Sequence, residues 1–395
     1  MTRSRTVIVA GAGIGGLTTA LALLRHGYRV VIFEQSERLE ETGAGIQLSP
    51  NATRVLFGLG VGATLKTAAV GPQAICIRDG CSGRKLARLP LGDAAEFRYG
   101  APFWVVHRGD LQAALTAAIE ASPDAVLRLG AKVQDFAFHA HGVTVEFRRG
   151  SETLHEHGIA LIGADGLWST VRVRLGDRRP PRFAERTAWR ALVPIDRITP
   201  ESGKPLTTLW LGPNAHVVHY PVKGGEALNI VAVLEDHRPL SGWSTTGARD
   251  QLLAAVSDWH AGVRDLLAVP QSWLTWALFD RAPASRWSVG PVALLGDAAH
   301  PMLPFAAQGA AMAIEDAAVV SDCLAKDADP PATALRAYEG LRRHRTTRVW
   351  RLARRNGAIY HMAGPAALLR NLALRTIGGE SLLARYEWLY DWRQA

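Results

Sequence analysis

The sequence predicts an α/β protein in which a parallel-sheet domain is joined to an antiparallel-sheet domain and closed by a helical C-terminal region. Three observations carry this. The stretch Thr6 to Glu34, TVIVAGAGIGGLTTALALLRHGYRVVIFE, alternates strand, helix and strand patterns. From Arg182 to about Trp273 the texture changes to short strands separated by Gly-Pro-Asn and Lys-Gly-Gly turns. From Gln308 onward the pattern is almost entirely helical.

In the first stretch, Thr6 to Ala10 is a β-branched run typical of a buried strand. Gly11, Gly13, Gly15 and Gly16 follow, then an apolar helical pattern from Leu17 to about Arg25 and a second strand, Arg29 to Phe33. In a G-x-G-x-x-G turn the first glycine makes the tight bend and the second lets backbone N–H groups approach a pyrophosphate. The third lets helix and strand pack closely. The helix N-terminus then offers partial positive charge to that anion. Glu34 lies about twenty residues on, where a carboxylate accepts hydrogen bonds from an adenosine ribose. This Rossmann-like unit predicts dinucleotide binding, and its acid favours a free 2′-OH, hence FAD or NAD over NADP at this site.

Later elements follow in order. A glycine-marked loop, Glu41 to Gly60, holds a helix from Asn51 to Leu59, and residues 73 to 97 read as short strands. His107-Arg108-Gly109-Asp110 leads into a helix, Leu111 to Glu120, with Asp110 as expected N-cap. Alternating strands run from Val126 to Phe147, then a buried strand from Gly158 to Ile162. Within the turn-rich part lie the strands Thr207 to Leu211, Ala215 to Val222 and Leu228 to Leu234, and Val289 to Leu295 is a further buried strand. At 395 residues the chain exceeds what one core usually supports. The expected division is 1–72, 98–181 and 274–395 for the nucleotide-binding domain, and 73–97 with 182–273 for the substrate-binding sheet domain.

Composition narrows the function. Hydrophobic content of 48% with 21% charged residues describes a globular protein, and no apolar run approaches the length of a membrane span. Cys76, Cys81 and Cys323 are too few and scattered for a disulfide framework or zinc cage, so a reduced, cytoplasmic protein is expected. His139 with His141, and His155 with His157, lack carboxylate or cysteine partners, and no metal is expected. Much of the excess behind the net charge of +9 lies between Arg336 and Arg355 at helical spacing, without a nucleic-acid module or interleaved aromatics. A field drawing in an anionic cofactor and an aromatic carboxylate is the expectation, rather than nucleic acid.

Two more motifs complete the first. Gly163-Ala164-Asp165-Gly166-Leu-Trp-Ser169-Thr-Val-Arg172 follows a buried strand and opens a helix. Gly296-Asp297-Ala-Ala-His300-Pro301-Met-Leu-Pro304-Phe-Ala-Ala307-Gln308-Gly309 does the same and runs into Met312-Ala-Ile-Glu315-Asp316-Ala317. A carboxylate beside a helix N-terminus can bind ribityl or ribose hydroxyls while backbone amides bind phosphate.

With these motifs, with GAGIQLSPNA and HRGDL, and with the WLGPNAHVVHYPV region, the sequence resembles the single-component FAD-dependent aromatic hydroxylases, the class that includes para-hydroxybenzoate hydroxylase. More closely, it is similar to the branch of salicylate hydroxylase, 3-hydroxybenzoate 6-hydroxylase and 6-hydroxynicotinate monooxygenase, over nearly the whole chain. The resemblance implies FAD, with Gly11, Gly13, Gly15 and Gly16 at the pyrophosphate and Glu34 at the adenosine ribose. It implies Arg108 at the phosphate or ribityl region, Asp165 for FAD and NAD(P)H together, and Asp297 at the ribityl chain. Gln47 would approach the isoalloxazine, with Pro304, Gln308 and Gly309 in the third motif. That motif reads A-Q-G instead of the commoner G-Q-G, and Pro304 stands where 3-hydroxybenzoate 6-hydroxylases can carry a polar residue. No second nucleotide fold is found, so NADH or NADPH would bind transiently. Oxygen transfer through a flavin C4a-hydroperoxide is implied, with O2 and a small aromatic substrate as partners and a monomer or homodimer as the assembly.

Such a reaction needs the peroxide kept dry and a base for the substrate hydroxyl. Side chains alternate along Ala215 to Val222, so His216, Val218 and Tyr220 share one face and His219 takes the other. His216 and Tyr220 lie about 13 Å apart along an extended strand and could flank a ring. Related hydroxylases place a catalytic histidine and tyrosine at this spacing, so His216 is the expected base and Tyr220 the positioning hydroxyl. His219 and His300 are read as structural or, for His300, flavin-adjacent. Rival readings are a hydroxylase of a larger quinolone or quinone-precursor ring and a non-catalytic flavin-binding redox sensor. The tail from Ala358 to Trp392 would cover the flavin domain or rest on a membrane surface, the former being preferred.

Overall fold

The computed structural model describes residues 5–39, 45–237, 244–326 and 330–394; the start of the glycine-marked loop, Glu41 to Ala44, lies outside them. Five parallel strands stand in the order Val292–Leu294, Ala160–Gly163, Thr6–Ala10, Arg29–Phe33 and Ala125–Arg128. Every residue of Thr6–Ala10 is buried, as a strand covered on both faces requires. The helices Ile14–Arg25 and Gly309–Lys326 share its core. The strand expected from Val289 to Leu295 is instead a hairpin: Ser288–Val289 turns at Gly290 (φ +55°) and pairs antiparallel with Val292–Leu294.

An eight-stranded sheet forms the other half, in the order Ser244–Gly247, Trp273–Asp280, Arg182–Pro194, Ala227–Glu235, Ala215–Val222, Thr207–Gly212, Ala74–Asp79, Lys85–Pro90. Its pairs are antiparallel except Thr207–Gly212 with Ala74–Asp79. The boundary expected at residue 274 cuts into Trp273–Asp280, which pairs along Arg182–Pro194. Residues 93–97, expected as strand, lie in the helix Asp93–Tyr99, entered at Gly92 (φ +60°) and ended by left-handed Gly100. Two helices that the strand-and-turn texture hid, Arg249–Ala255 and Ala261–Ala268, close a core around Trp189, Trp210, Trp259 and Trp273.

The arginine-rich stretch is the helix Pro331–Tyr360. Its cations are partly consumed inside the protein. Arg342 is buried against Glu315 (2.6 Å) and Asp316 (2.7 Å), and Arg345 pairs with Glu315 at 2.7 Å. Arg345 also donates to the carbonyls of Trp388 and Leu389, and Arg348 lies 3.6 Å over the Trp388 ring, so the end of the tail docks on this helix. The intervening helix Gly364–Ile377 leaves Leu368, Leu369 and Leu372 exposed. Among the described residues no helix is long and apolar enough to cross a membrane.

Candidate active site

A cavity of about 920 Å³ opens between the ends of the parallel strands and the eight-stranded sheet. Of the residues expected at the cofactor, Gly11, Gly13, Glu34, Arg108, Asp165, Asp297 and Pro304 line it. Gly15, Gly16, Gln47, Gln308 and Gly309 do not, and neither do His216 and Tyr220.

The glycine turn is built by close approach. Gly11 sits at φ +103°, and a Cβ there would stand 2.4 Å from the Ala164 carbonyl oxygen; on Gly16 it would stand 1.9 Å from the Gly11 oxygen. The first two motifs therefore touch through backbone, which no side chain would permit. Gly15 faces Leu295 and Ala313 instead of the cavity. Gly13 is the extended N-cap of Ile14–Arg25, nothing stands within 4 Å of its Cβ direction, and the first turn holds no acid. Such an end leaves backbone N–H groups and partial positive charge facing the cavity, which fits a pyrophosphate. The Glu34 carboxylate, held by the N–H groups of Ala12 and Ser36 (both 2.9 Å), keeps acceptor capacity toward the cavity.

Asp165 accepts from the Ser169 hydroxyl (2.5 Å) and the Val171 N–H (3.0 Å), tying the second motif to the helix Thr170–Arg174. Burial raises its pKa against these hydrogen bonds. Asp297 lies deep in the protein yet open to the cavity; burial raises its pKa, while His300 and Arg108 pull the other way. Arg108 is the first residue of the helix Arg108–Glu120, whose N-cap is His107. Asp110 is therefore not the cap but an acid in the first turn, favoured there by the helix dipole.

A buried polar clasp supports the third motif from behind. The Gln308 amide donates to the Ser49 hydroxyl (2.9 Å), which donates to Asn51 (2.6 Å), whose amide donates to Glu315 (2.6 Å). His300 meets Asp316 at 2.5 Å, and Asp316 also accepts the Gly296 N–H at 3.2 Å. Arg342 beside this pair and His300 outweigh burial and hold Asp316 below its usual value. Gln308 and His300 thus position the loop that carries Asp297.

The strand Ala215–Val222 is buried on both faces, with Val218 alone part-exposed. His216 is buried with Phe305 and Tyr360 rings at 5.4 Å, and its Nδ1 lies 2.7 Å from His361 Nε2. Burial first, then His361 and Arg186, pull its pKa well down. Tyr220 is buried and its pKa is raised by burial, against the pull of Arg190. A Cβ on Gly45 would stand 2.5 Å from the Tyr220 ring, and Gly45 N–H donates to Asn229 at 2.7 Å; the strand Gly45–Leu48 that carries Gln47 therefore rests on this face. His219 takes the opposite face and accepts from the Trp210 indole at 3.2 Å.

Sequence reasoning missed Arg190, Arg186 and His361. Arg190 lines the cavity from the strand Arg182–Pro194, 4.8 Å over the Trp276 ring. Its Nε is enclosed without a hydrogen-bond partner, and burial lowers its pKa, with Tyr220 and Arg108 acting in opposite senses. Side-chain alternation on this strand was the available signal. No motif surrounds it.

The chain as a whole matches FAD-binding proteins. Residues 4–353 match the family described as "FAD binding domain". The chain is 36% identical to 3-hydroxybenzoate 6-hydroxylase of Polaromonas naphthalenivorans (strain CJ2) and 39% identical to 3-amino-4-hydroxybenzoate 2-monooxygenase PtnB3 of Streptomyces platensis, each across 98% of this chain and 96% of the relative. The solved structure of Klebsiella pneumoniae HpxO complexed with FAD and uric acid superposes with a TM-score of 0.86 at 28% identity, covering 98% of this chain and 96% of that one. The chain belongs to this FAD-binding family, among its FAD-dependent aromatic-ring monooxygenases.

Proposed function

We propose that the enzyme uses NADH or NADPH and O2 to hydroxylate a phenolic or hydroxy-heteroaromatic acid of the hydroxybenzoate, salicylate or hydroxynicotinate type. The observation that carries this is the enclosed, unpartnered Nε of Arg190 at the cavity wall. An enclosed guanidinium nitrogen without a hydrogen-bond partner is costly, and a planar carboxylate answers it with charge-assisted hydrogen bonds. The relatives named above for hydroxybenzoates support the same substrate class.

FAD, when bound, supplies an electrophilic oxygen derived from O2. In this reading the Gly11–Gly16 turn and Glu34 hold its adenosine diphosphate end, Arg108 and Asp165 the middle, and Asp297 the ribityl chain. The eight-stranded sheet covers the ring end, where Arg190 anchors the substrate carboxylate. His216 and Tyr220 stand outside the cavity lining, His216 packed on Phe305 next to the lining residue Pro304, and they meet the substrate hydroxyl once the ring is seated against that wall. The apolar side chains of Met302, Leu303 and Trp276 exclude water from between them. Three free cysteines and dependence on a nicotinamide donor support a cytoplasmic enzyme, acting as a monomer or homodimer. The test is a panel of hydroxybenzoates and hydroxynicotinates, measuring ligand-stimulated NAD(P)H consumption against peroxide release. Stimulation with product is expected for at least one carboxylated phenol; stimulation by none contradicts the reading.

A further inference from the structure

His216, His361 and Arg186 come from two strands and the C-terminal end of the helix Pro331–Tyr360, and they form one hydrogen-bonded row. The Arg186 Nε–H donates to His361 Nδ1 at 3.1 Å. Guanidinium has no acceptor, so this bond runs one way and fixes His361 Nδ1 as the acceptor. Burial, with Arg186 and Arg370 adding to it, pulls the His361 pKa down to about 3. The ring is therefore neutral and its single proton sits on Nε2. That Nε2 is 2.7 Å from His216 Nδ1, which must accept.

The row is held at each end. Arg186 is steadied by Glu235 (3.7 Å) and the Ala184 carbonyl (3.2 Å). Arg370 donates to the carbonyls of Ile359 (3.1 Å) and Tyr360 (3.0 Å), and the His361 carbonyl accepts the Asn214 N–H at 3.2 Å. Tyr360 packs against His216 as a neutral phenol, its pKa raised by burial. With Nδ1 committed as acceptor, a neutral His216 carries its proton on Nε2, a nitrogen with no hydrogen bond among the described residues.

We propose that Arg186 and His361 are positioning residues that lock His216 as a hydrogen-bond donor, so that the site receives the substrate's ring oxygen as a phenolate. The hydroxyl O–H bond breaks with its electron pair left on oxygen, the proton passes to solvent, and His216 keeps the proton it already has. This reverses the sequence expectation of His216 as the base. The substrate half of the inference rests on the hydroxylase reading; the tautomer half does not.

Two measurements on full-length, FAD-loaded protein separate these halves. In ¹⁵N-histidine-labelled protein, the His216 signals, assigned by their loss in His216→Gln, are expected to show an unprotonated Nδ1 and a protonated Nε2. The opposite tautomer, or an imidazolium, overturns the proposal whatever the enzyme's activity. Calorimetry in buffers of different ionisation heat then counts protons released when 3-hydroxybenzoate binds at mildly alkaline pH. About one proton per ligand is expected for the wild type. His361→Gln should retain it, since its carbonyl accepts from Arg186 and its amide donates to His216. His361→Phe should release fewer, because His216 can then offer a bare nitrogen. Equal release from both variants and wild type, or equal loss in both, overturns the relay. If the phenylalanine variant fails to fold, the tautomer measurement decides alone, and if 3-hydroxybenzoate does not bind, only the substrate class falls.

Discussion

The two sides of the cavity differ in how their chemistry is encoded. On the parallel-sheet side the work is done by backbone: Gly11 against Ala164, Gly16 against Gly11, and the N-terminus of Ile14–Arg25. On the eight-stranded side the wall is made by side chains from separate elements, such as Arg190 and Trp276, and behind it His216 meets His361, 145 residues away. Backbone sites need small residues at fixed local spacing. Side-chain sites need only that the fold bring donors and acceptors together. The first region should therefore break at single methyl groups and the second at single hydrogen bonds.

The largest effect is expected at Gly16. A valine there would drive its Cβ into the Gly11 carbonyl, so Gly16→Val should abolish bound flavin, read as loss of the flavin absorbance in purified protein. Behind the third motif, Asp316→Asn leaves Arg342 short of a buried partner and should cost about 3–5 kcal/mol in denaturant unfolding.

Acid should act on the side-chain region next. His216, His219 (about 4) and His361 (about 3) all have pKa values below the ordinary 6.5, chiefly through burial. Each stays neutral when folded but takes up a proton when unfolded. Stability should thus be level above about pH 6.5 and fall below it, by roughly 1.4 kcal/mol per pH unit for each histidine until its folded pKa is reached. Unfolding midpoints across that range check the slope.

Arg190→Gln removes the carboxylate partner and should raise KM for a carboxylated phenol about 10- to 100-fold, with flavin content unchanged. A KM equal to wild type would move the anchor elsewhere. The smallest effect is expected at Ala307, held at φ +51° where the commoner motif has glycine. Ala307→Gly relieves that strain and should change stability by no more than about 1 kcal/mol, read as a small rise in Tm.

The same contrast explains what was legible in the sequence. The parallel sheet, the glycine turn and the place of the second- and third-motif carboxylates at the cavity could be read because each occupies a few consecutive residues. The strand face bearing His216 and Tyr220 was legible from alternation alone. Arg190 was not, because its unpaired Nε exists only once Trp276 and the cavity surround it. The direction of the His216 hydrogen bond was hidden as well, since it depends on a guanidinium and a helix end that no local pattern connects to it. Boundaries failed for a related reason. The division expected at residue 274 falls inside Trp273–Asp280, which pairs on both sides, with Arg182–Pro194 and Ser244–Gly247.

The most direct test of the whole account is turnover under ¹⁸O2. FAD-loaded protein, NADH or NADPH and a panel of hydroxybenzoates are incubated together, and the aromatic products are weighed by mass spectrometry. The account predicts, for at least one acid, a ring-hydroxylated product carrying one labelled oxygen in step with nicotinamide oxidation. Nicotinamide oxidation that yields only hydrogen peroxide with every acid, and no labelled ring, would contradict it.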